Sequence, residues 1–179
     1  MSSVVSTAQH DAPPLIYYLR DVVKTREAEG VAFRLRIPSL KIAMGEKIAL
    51  IGESGCGKST LLDMLAFILQ PSDVGAFRFR PERDEEPLDI QAYWNQGKLN
   101  QLGDLRKHYI GYVMQTGGLL PYLTVRENMN LSRSVLGLRP DGMVEHLAEE
   151  LGLTAHLDKL PDKLSTGERQ RVAIGRAVA

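Results

Sequence analysis

The stretch that decides the fold reads Lys47-Ile-Ala-Leu-Ile51, then Gly52-Glu-Ser-Gly-Cys-Gly-Lys-Ser-Thr60, and continues to Leu69. Its first five residues are mostly apolar and predict a short buried strand, whereas residues 58–69 predict a buried helix with Asp63 as its only acidic residue. Between them, residues 52–59 satisfy the pattern G-x-x-x-x-G-K-[ST], and they do so between a strand and a helix, as this pattern requires. The sequence therefore predicts a strand, a tight glycine-rich turn and a helix in that order.

The glycine-rich turn predicts a loop that binds phosphate. Gly55 and Gly57 permit positive φ, which turns successive N–H groups inward at the positive end of the following helix. Lys58 would place its charge against the β- and γ-phosphates of a nucleotide, and the Ser59 hydroxyl would join a Mg²⁺ shell. We interpret Cys56 as a small spacer rather than a redox sensor. The candidate nucleotide-binding residues here are Gly52, Glu53, Ser54, Gly55, Cys56, Gly57, Lys58, Ser59 and Thr60.

Composition limits the class of protein. With 179 residues, 44% of them hydrophobic and 25% charged, the chain is long and apolar enough for one globular domain with a real core. Lys and Arg number 22 and so do Asp and Glu, which leaves no basic field to hold a nucleic-acid backbone. The one cysteine excludes an internal disulfide. No apolar run reaches the roughly 18–20 residues of a membrane span, so we expect a cytosolic chain that meets membranes only through a partner.

The remaining pattern predicts alternating strands and helices around this turn. We expect a flexible leader at residues 1–14, a charged solvated loop at 81–87, and an antiparallel lobe near the N-terminus. Predicted strands are residues 15–19, 31–37, 76–80 and 109–114, with a break at 70–75, and predicted helices are residues 99–108, 125–136, 142–151 and 165–179.

Two further motifs follow the glycine-rich turn. Gln115 stands directly after the apolar segment 109–114, and Gly118-Leu-Leu-Pro-Tyr122 is unusually apolar for a loop. Leu164-Ser-Thr-Gly-Glu168 then opens the last helix. Ser165 and Glu168 have the spacing of a capping box, which predicts an outward-facing helix N-terminus that attracts anions.

The three motifs, in this order, resemble the ATP-binding subunits of ABC transporters over residues 15–179. Gln115 stands at the Q-loop of that family, and the run 119–128 is similar to lipoprotein-releasing and macrolide-export subunits. The family signature is matched by Leu164, Ser165, Thr166, Gly167 and Glu168, with Thr and Glu where Gly and Gln are usual. The resemblance implies an α/β P-loop NTPase fold with a parallel core sheet, an N-terminal antiparallel β lobe and a helical subdomain at about 116–168.

The resemblance also implies cofactors and partners. ATP would bind with Mg²⁺, whose shell Ser59 and Gln115 would complete. The signature would contact the γ-phosphate held by a second ABC subunit, most simply a second copy of the chain. Residues 118–122 would receive a helix of a transmembrane permease subunit at the cytoplasmic face of the membrane, and nucleic acid is not an expected partner. The implied function couples ATP binding and hydrolysis in this dimer to substrate movement.

Departures from the family pattern leave alternatives open. The Walker B Asp and Glu, the switch His and the last strands of the sheet are expected beyond Ala179, so no catalytic residue is assigned and residues 1–179 alone are expected to be inactive. Thr25 and Arg26 stand where the family places an aromatic residue that stacks on adenine. Two alternatives remain, namely a soluble ABC ATPase of DNA repair or translation and a non-hydrolysing regulatory subunit. The sequence does not identify the transported substrate.

Overall fold

The computed structural model describes residues 13–28, 31–115 and 117–179. The predicted leader, residues 1–14, therefore lies outside the described residues except for Pro13 and Pro14. The chain divides into two compact units, residues 1–102 and 103–179, which are described separately below. The predicted helical subdomain at about 116–168 falls within the second unit and stays a prediction as a domain boundary.

The first unit is built on an antiparallel sheet of order β2-β1-β3-β4. Its strands are β1 Leu15–Ala28, β2 Val31–Ala43, β3 Asp73–Phe79 and β4 Leu88–Asp89, and its helices are α1 Lys58–Leu65 and α2 Ile90–Asn95. The predicted antiparallel lobe is confirmed, and the strands predicted at 15–19 and 31–37 extend further than expected. Sequence analysis missed β4 and α2, which is only six residues long and is capped by the Asp89 side chain.

An aromatic core covers one face of this sheet. Phe77 and Phe79 alternate inward along β3 and are fully buried, and the rings of Phe67 and Trp94 pack edge-on against them. The Tyr17 hydroxyl donates to the carbonyl of Leu65 at 3.0 Å, and burial raises the pKa of this phenol. Each of these aromatic rings removes a large apolar area from water, so this cluster anchors the unit.

The predicted helix at 58–69 is too long by four residues. Phe67 has a φ of +56°, a left-handed conformation that a helix cannot contain. The backbone turns there because the Phe67 ring is drawn into the aromatic core, where it is 2% exposed. Burial of that ring offsets the cost of about 1–2 kcal/mol for a non-glycine residue in the left-handed region.

The strands predicted at residues 47–51 and 109–114 are wrong. Residues 46–53 and 110–114 have no regular secondary structure, and Tyr109 is the last residue of a helix, α3 Leu99–Tyr109. Ile51 is 94% exposed. A strand is stabilised by hydrogen bonds to a neighbouring strand, and neither segment has such a neighbour among the described residues. The parallel part of the predicted sheet is consequently not formed in the described parts of the chain.

The second unit is helical, as predicted. It contains α4 Val125–Val135, α5 Met143–Glu150 and α6 Thr166–Val178, with short 3₁₀ turns at Thr154–His156 and Pro161–Lys163. Their core consists of Val125, Met129, Val144, Ala148, Leu153, Leu157, Leu164 and Val172. A Cβ on Gly175 would lie 2.6 Å from the Met129 side chain, which shows how closely α6 approaches α4. No helix in the described part of the chain has the length and apolar character needed to cross a membrane.

Candidate nucleotide-binding and signature elements

The glycine-rich loop adopts the backbone that its sequence predicts. Gly55 has a φ of +81° and Gly57 a φ of +105°, both in the left-handed region that favours glycine. A Cβ on Gly57 would lie 3.0 Å from the Phe33 ring and 3.2 Å from Leu35, so β2 packs directly beneath the loop. A Cβ on Gly52 would lie 2.8 Å from the sulfur of Cys56. The neighbouring atoms therefore leave no room for a side chain at Gly52 or at Gly57.

The N-terminus of α1 presents unused hydrogen-bond donors. Gly57 is its N-cap and supplies no side-chain acceptor, and the first helical hydrogen bond runs from the Leu61 N–H to the Gly57 carbonyl. The N–H groups of the first three helical residues therefore lack intrahelical acceptors, and the first turn carries no acidic side chain. Together with the helix dipole, these donors make this end of α1 suited to an anion.

Lys58 lies across the same loop. Its ammonium group donates to the carbonyl oxygens of Gly52 and Glu53, each at 2.7 Å, and its nitrogen lies 3.7 Å from the Cys56 sulfur. Residues 51–56 are exposed, so the charge sits beside a solvent-accessible loop. Ser59 at the second position of α1 is exposed as well, which leaves its hydroxyl accessible to a ligand.

Gln115 and the loop that follows belong to the second unit. Gln115 is exposed in a turn closed by the Gly117 N–H on the Met114 carbonyl at 2.8 Å. Gly117 and Gly118 have φ values of +75° and +56°, and the Arg176 guanidinium donates to both of their carbonyl oxygens at 2.9 Å. Burial lowers the pKa of Arg176 from its usual value. The guanidinium group of Arg176, on α6, therefore holds Gly117 and Gly118 in place at the start of this loop.

Asn128 fixes the rest of the loop. Its side chain is fully buried, accepts from the Leu120 N–H at 2.8 Å, and donates to the carbonyls of Leu120, Leu123 and Thr124 at 2.9–3.0 Å. The half-buried Leu119 packs against the helical core, whereas Tyr122 is 72% exposed. The apolar residues of the loop therefore have two different environments, because Leu119 contributes to the helical core and Tyr122 is exposed on the surface.

The signature segment begins α6 with the predicted capping box, which is confirmed. The Ser165 hydroxyl oxygen accepts from the Glu168 N–H at 3.3 Å, and a Glu168 carboxylate oxygen accepts from the Ser165 N–H at 2.7 Å. Hydrogen bonds from Ser165 are the main reason that the pKa of Glu168 lies below its usual value. Arg169 donates to the Leu164 carbonyl at 2.7 Å and to the Thr166 hydroxyl at 3.2 Å.

The structure distributes the predicted site residues over both units. Residues 52–60 lie in the first unit, and Gln115 and residues 164–168 lie in the second. Sequence analysis missed three supporting side chains, Asn128, Arg176 and His156. Asn128 could have been found as the polar residue beside Val125 and Met129 on the buried side of α4. The other two leave no signal in the sequence, since their partners are set by the packing of the helices.

Comparison with known families identifies the family to which these elements belong. The model of the family described as ABC transporter matches residues 35–179. The chain belongs to the ABC transporter family. The match begins in β2 and includes the glycine-rich loop, Gln115 and the signature segment, so the family resemblance read from the three motifs is confirmed.

Known ABC transporter proteins match over most of the chain. The macrolide export ATP-binding/permease protein MacB of Marinobacter nauticus is 36% identical over 171 residues, which are 93% of this chain and 25% of that protein. The lipoprotein-releasing system ATP-binding protein LolD of Acinetobacter baylyi is 39% identical over 147 residues, 78% of this chain and 58% of that protein. The chain thus spans between a quarter and three fifths of the length of these two relatives.

Solved ABC cassettes share the fold. The bacterial ABC transporter cassette MJ0796, solved as a dimer, superposes with a TM-score of 0.75 at 27% identity, over 91% of this chain and 69% of that chain. CbiO1 from Clostridium perfringens gives a TM-score of 0.67 at 24% identity over 92% of this chain and 61% of that chain, which supports the fold alone. The predicted α/β fold class of an ABC ATPase is confirmed.

Proposed function

We propose that this chain is the ATP-binding part of an ABC transporter, in which ATP occupies the loop 52–60. The observation that carries the proposal is the geometry of this loop, whose left-handed glycines, uncapped helix N-terminus and lysine surround one exposed surface. Phosphate oxygens fit such a surface because it offers N–H donors and positive charge, and the first turn of α1 carries no acidic side chain. In the bound state, the Lys58 ammonium exchanges its carbonyl partners for the β- and γ-phosphates.

Mg²⁺ is the proposed companion of ATP. The Ser59 hydroxyl and the Gln115 side-chain amide are uncharged oxygen donors of the kind that this cation accepts, and both side chains are exposed. When bound, the metal would neutralise charge on the phosphates. Catalysis of phosphoryl transfer is mainly positioning and electrostatic stabilisation, and the residues of this chain supply the positioning of the phosphates.

The proposed partners are a second ABC subunit and a permease. The α6 N-terminus would face the γ-phosphate of ATP bound to the second subunit, through the Ser165 hydroxyl and the Gly167 N–H, and the dimeric MJ0796 cassette supports such a pairing. The exposed Tyr122, on a loop held by Asn128, supports a docking site for a permease helix at residues 118–122. ATP binding then closes the dimer and hydrolysis reopens it, at the cytoplasmic face of a membrane.

A calorimetric titration with ATP tests the nucleotide site. Replacing Lys58 by Ala is expected to weaken ATP binding by about a hundredfold, since hydrogen bonds from a charged donor contribute about 1.5–3 kcal/mol. Lys47→Ala is the matched control, because Lys47 is an exposed lysine of the same segment outside the loop. Equal affinity of the Lys58→Ala and Lys47→Ala variants would contradict the assignment.

A further inference from the structure

A chain of polar side chains lies behind the signature. We call it the signature cluster and define it as Ser165, Glu168, His156 and Lys159. One Glu168 carboxylate oxygen accepts from the Ser165 N–H at 2.7 Å, and the other lies 3.1 Å from Nε2 of His156. Nδ1 of His156 lies 2.9 Å from the Lys159 ammonium. The cluster therefore connects a lysine and a histidine beside the 3₁₀ turn Thr154–His156 to the first turn of α6.

The Lys159 contact fixes which nitrogen of His156 carries the proton. An ammonium group can only donate hydrogen bonds, so Nδ1 of His156 must be the acceptor. The ring hydrogen then resides on Nε2, which donates to Glu168. Lys159 thus orients the imidazole, and the imidazole in turn restrains the carboxylate.

This restraint matters because Glu168 brings a negative charge to the signature. Under the function proposed above, the N-terminus of α6 meets a phosphate of ATP held by a second subunit, and a free carboxylate there would repel it. In the structure both oxygens of Glu168 are occupied by intrachain donors, and Arg171 adds a favourable charge. The Ser165 hydroxyl oxygen accepts from the Glu168 N–H at 3.3 Å, and the hydroxyl is also the first reason that the pKa of the Glu168 carboxyl lies below its usual value, so Ser165 takes part in the same restraint.

We propose that His156, oriented by Lys159, is a positioning residue for the signature: it holds the Glu168 carboxylate in the capping box so that nucleotide on a second copy of the chain can dock on α6. The inference rests on the proposed function, since it requires ATP in the loop 52–60. His156 belongs to the second unit and contacts Glu168, whereas the loop 52–60 belongs to the first unit. We therefore expect His156 to act on dimer formation rather than on the binding of ATP to one protomer.

Sedimentation of the full-length protein tests this inference, with a non-hydrolysable ATP analogue and Mg²⁺ present. His156→Ala is expected to weaken the nucleotide-dependent dimer about tenfold, near the lower end of what a hydrogen bond to a charged group contributes. His146→Ala is the control, because His146 is an exposed histidine of α5, and it should leave the dimer unchanged. Glu168→Gln removes the charge, so the double variant His156→Ala/Glu168→Gln should dimerise within about twofold of Glu168→Gln alone.

The outcomes separate the inference from a merely structural role of His156. A double variant about tenfold weaker than Glu168→Gln alone would show that His156 supports the fold rather than the carboxylate, and would overturn the proposal. An unweakened His156→Ala dimer, or a wild-type protein that binds the analogue and stays monomeric, would overturn it as well. Calorimetry on the same samples reports analogue binding to the protomer, and a wild-type protein that binds none would overturn the proposed function itself and the inference with it.

Discussion

Replacing the buried Asn128 by Asp, which has the same shape, is expected to destabilise the second unit strongly. The two N–H hydrogens of the Asn128 side-chain amide are shared among three carbonyl oxygens at 2.9–3.0 Å, its oxygen accepts one N–H at 2.8 Å, and the side chain is fully buried. An ionised Asp keeps the accepted hydrogen bond but has no hydrogen to donate. The three carbonyl oxygens would then face a negative charge without water between them.

The expected loss of stability follows from these contacts. Two donated N–H groups contribute about 1 kcal/mol each, and an uncompensated carboxylate in an apolar site costs at least a further 1–3 kcal/mol, so the free energy of unfolding should fall by roughly 3–5 kcal/mol. Domains are stable by only about 5–15 kcal/mol in total. Protonation of the new Asp restores one donor, and the deficit should accordingly shrink as the pH falls.

Urea unfolding followed by far-UV circular dichroism measures this loss, and hydrogen exchange in residues 117–128 locates it. Asn130→Asp is the matched control, since Asn130 lies on the same helix and its side-chain amide donates to the Ser134 hydroxyl near the surface, at 3.1 Å. Its effect should stay within about 0.5 kcal/mol. A deficit below about 1 kcal/mol for Asn128→Asp, or unchanged exchange at residues 117–123, would refute the role given to the Asn128 hydrogen bonds.

Three further predictions concern the loop, the capping boxes and the exposed surface. Gly57→Ala should lower the free energy of unfolding by about 2–3 kcal/mol in urea titrations and weaken ATP binding in calorimetry, because a Cβ at this φ is strained and meets Phe33 at 3.0 Å. The pKa values of Glu127 and Glu168 are lowered mainly by capping-box hydrogen bonds, so the stability they add is present above their unfolded pKa and lost as the pH falls through the folded one. Amide exchange in the first turns of α4 and α6 should rise there, and Gln at both positions should flatten this dependence. Tyr122→Glu should change the free energy of unfolding by less than about 0.5 kcal/mol, since the ring is 72% exposed, and should reduce co-purification with a permease subunit; a large loss of stability would place Tyr122 in the core instead.

The sequence predicts the elements whose geometry is set locally. The loop 52–60 requires left-handed glycines that are close together in the sequence, and the capping box joins two residues that are three positions apart. Both features can therefore be predicted from the sequence pattern. Three of the four antiparallel strands, β1, β2 and β3, and the helices α4, α5 and α6 are likewise predicted by the sequence pattern.

Features that depend on distant partners were not predictable. Residues 47–51 have the composition of a strand, but a strand requires a neighbour, and none is paired with them among the described residues. The end of α1 was misplaced because Phe67 is drawn into a core formed by β3 and α2. Arg176 reaches Gly118 across 58 positions of sequence, a separation at which no periodicity gives information.

The two ends of α6 make different contacts, and both sets of contacts depend on the length of the helix. Its first turn holds the capping box of Ser165 and Glu168, and its last turn carries Arg176, whose guanidinium fixes Gly117 and Gly118. Each residue of an α-helix turns the chain by about 100° and advances it by about 1.5 Å. A single inserted or deleted residue between the two ends would therefore swing one of them to the side of the helix. Variants of this segment are expected to differ by substitution on the exposed face of α6 and to keep the number of residues from Ser165 to Arg176.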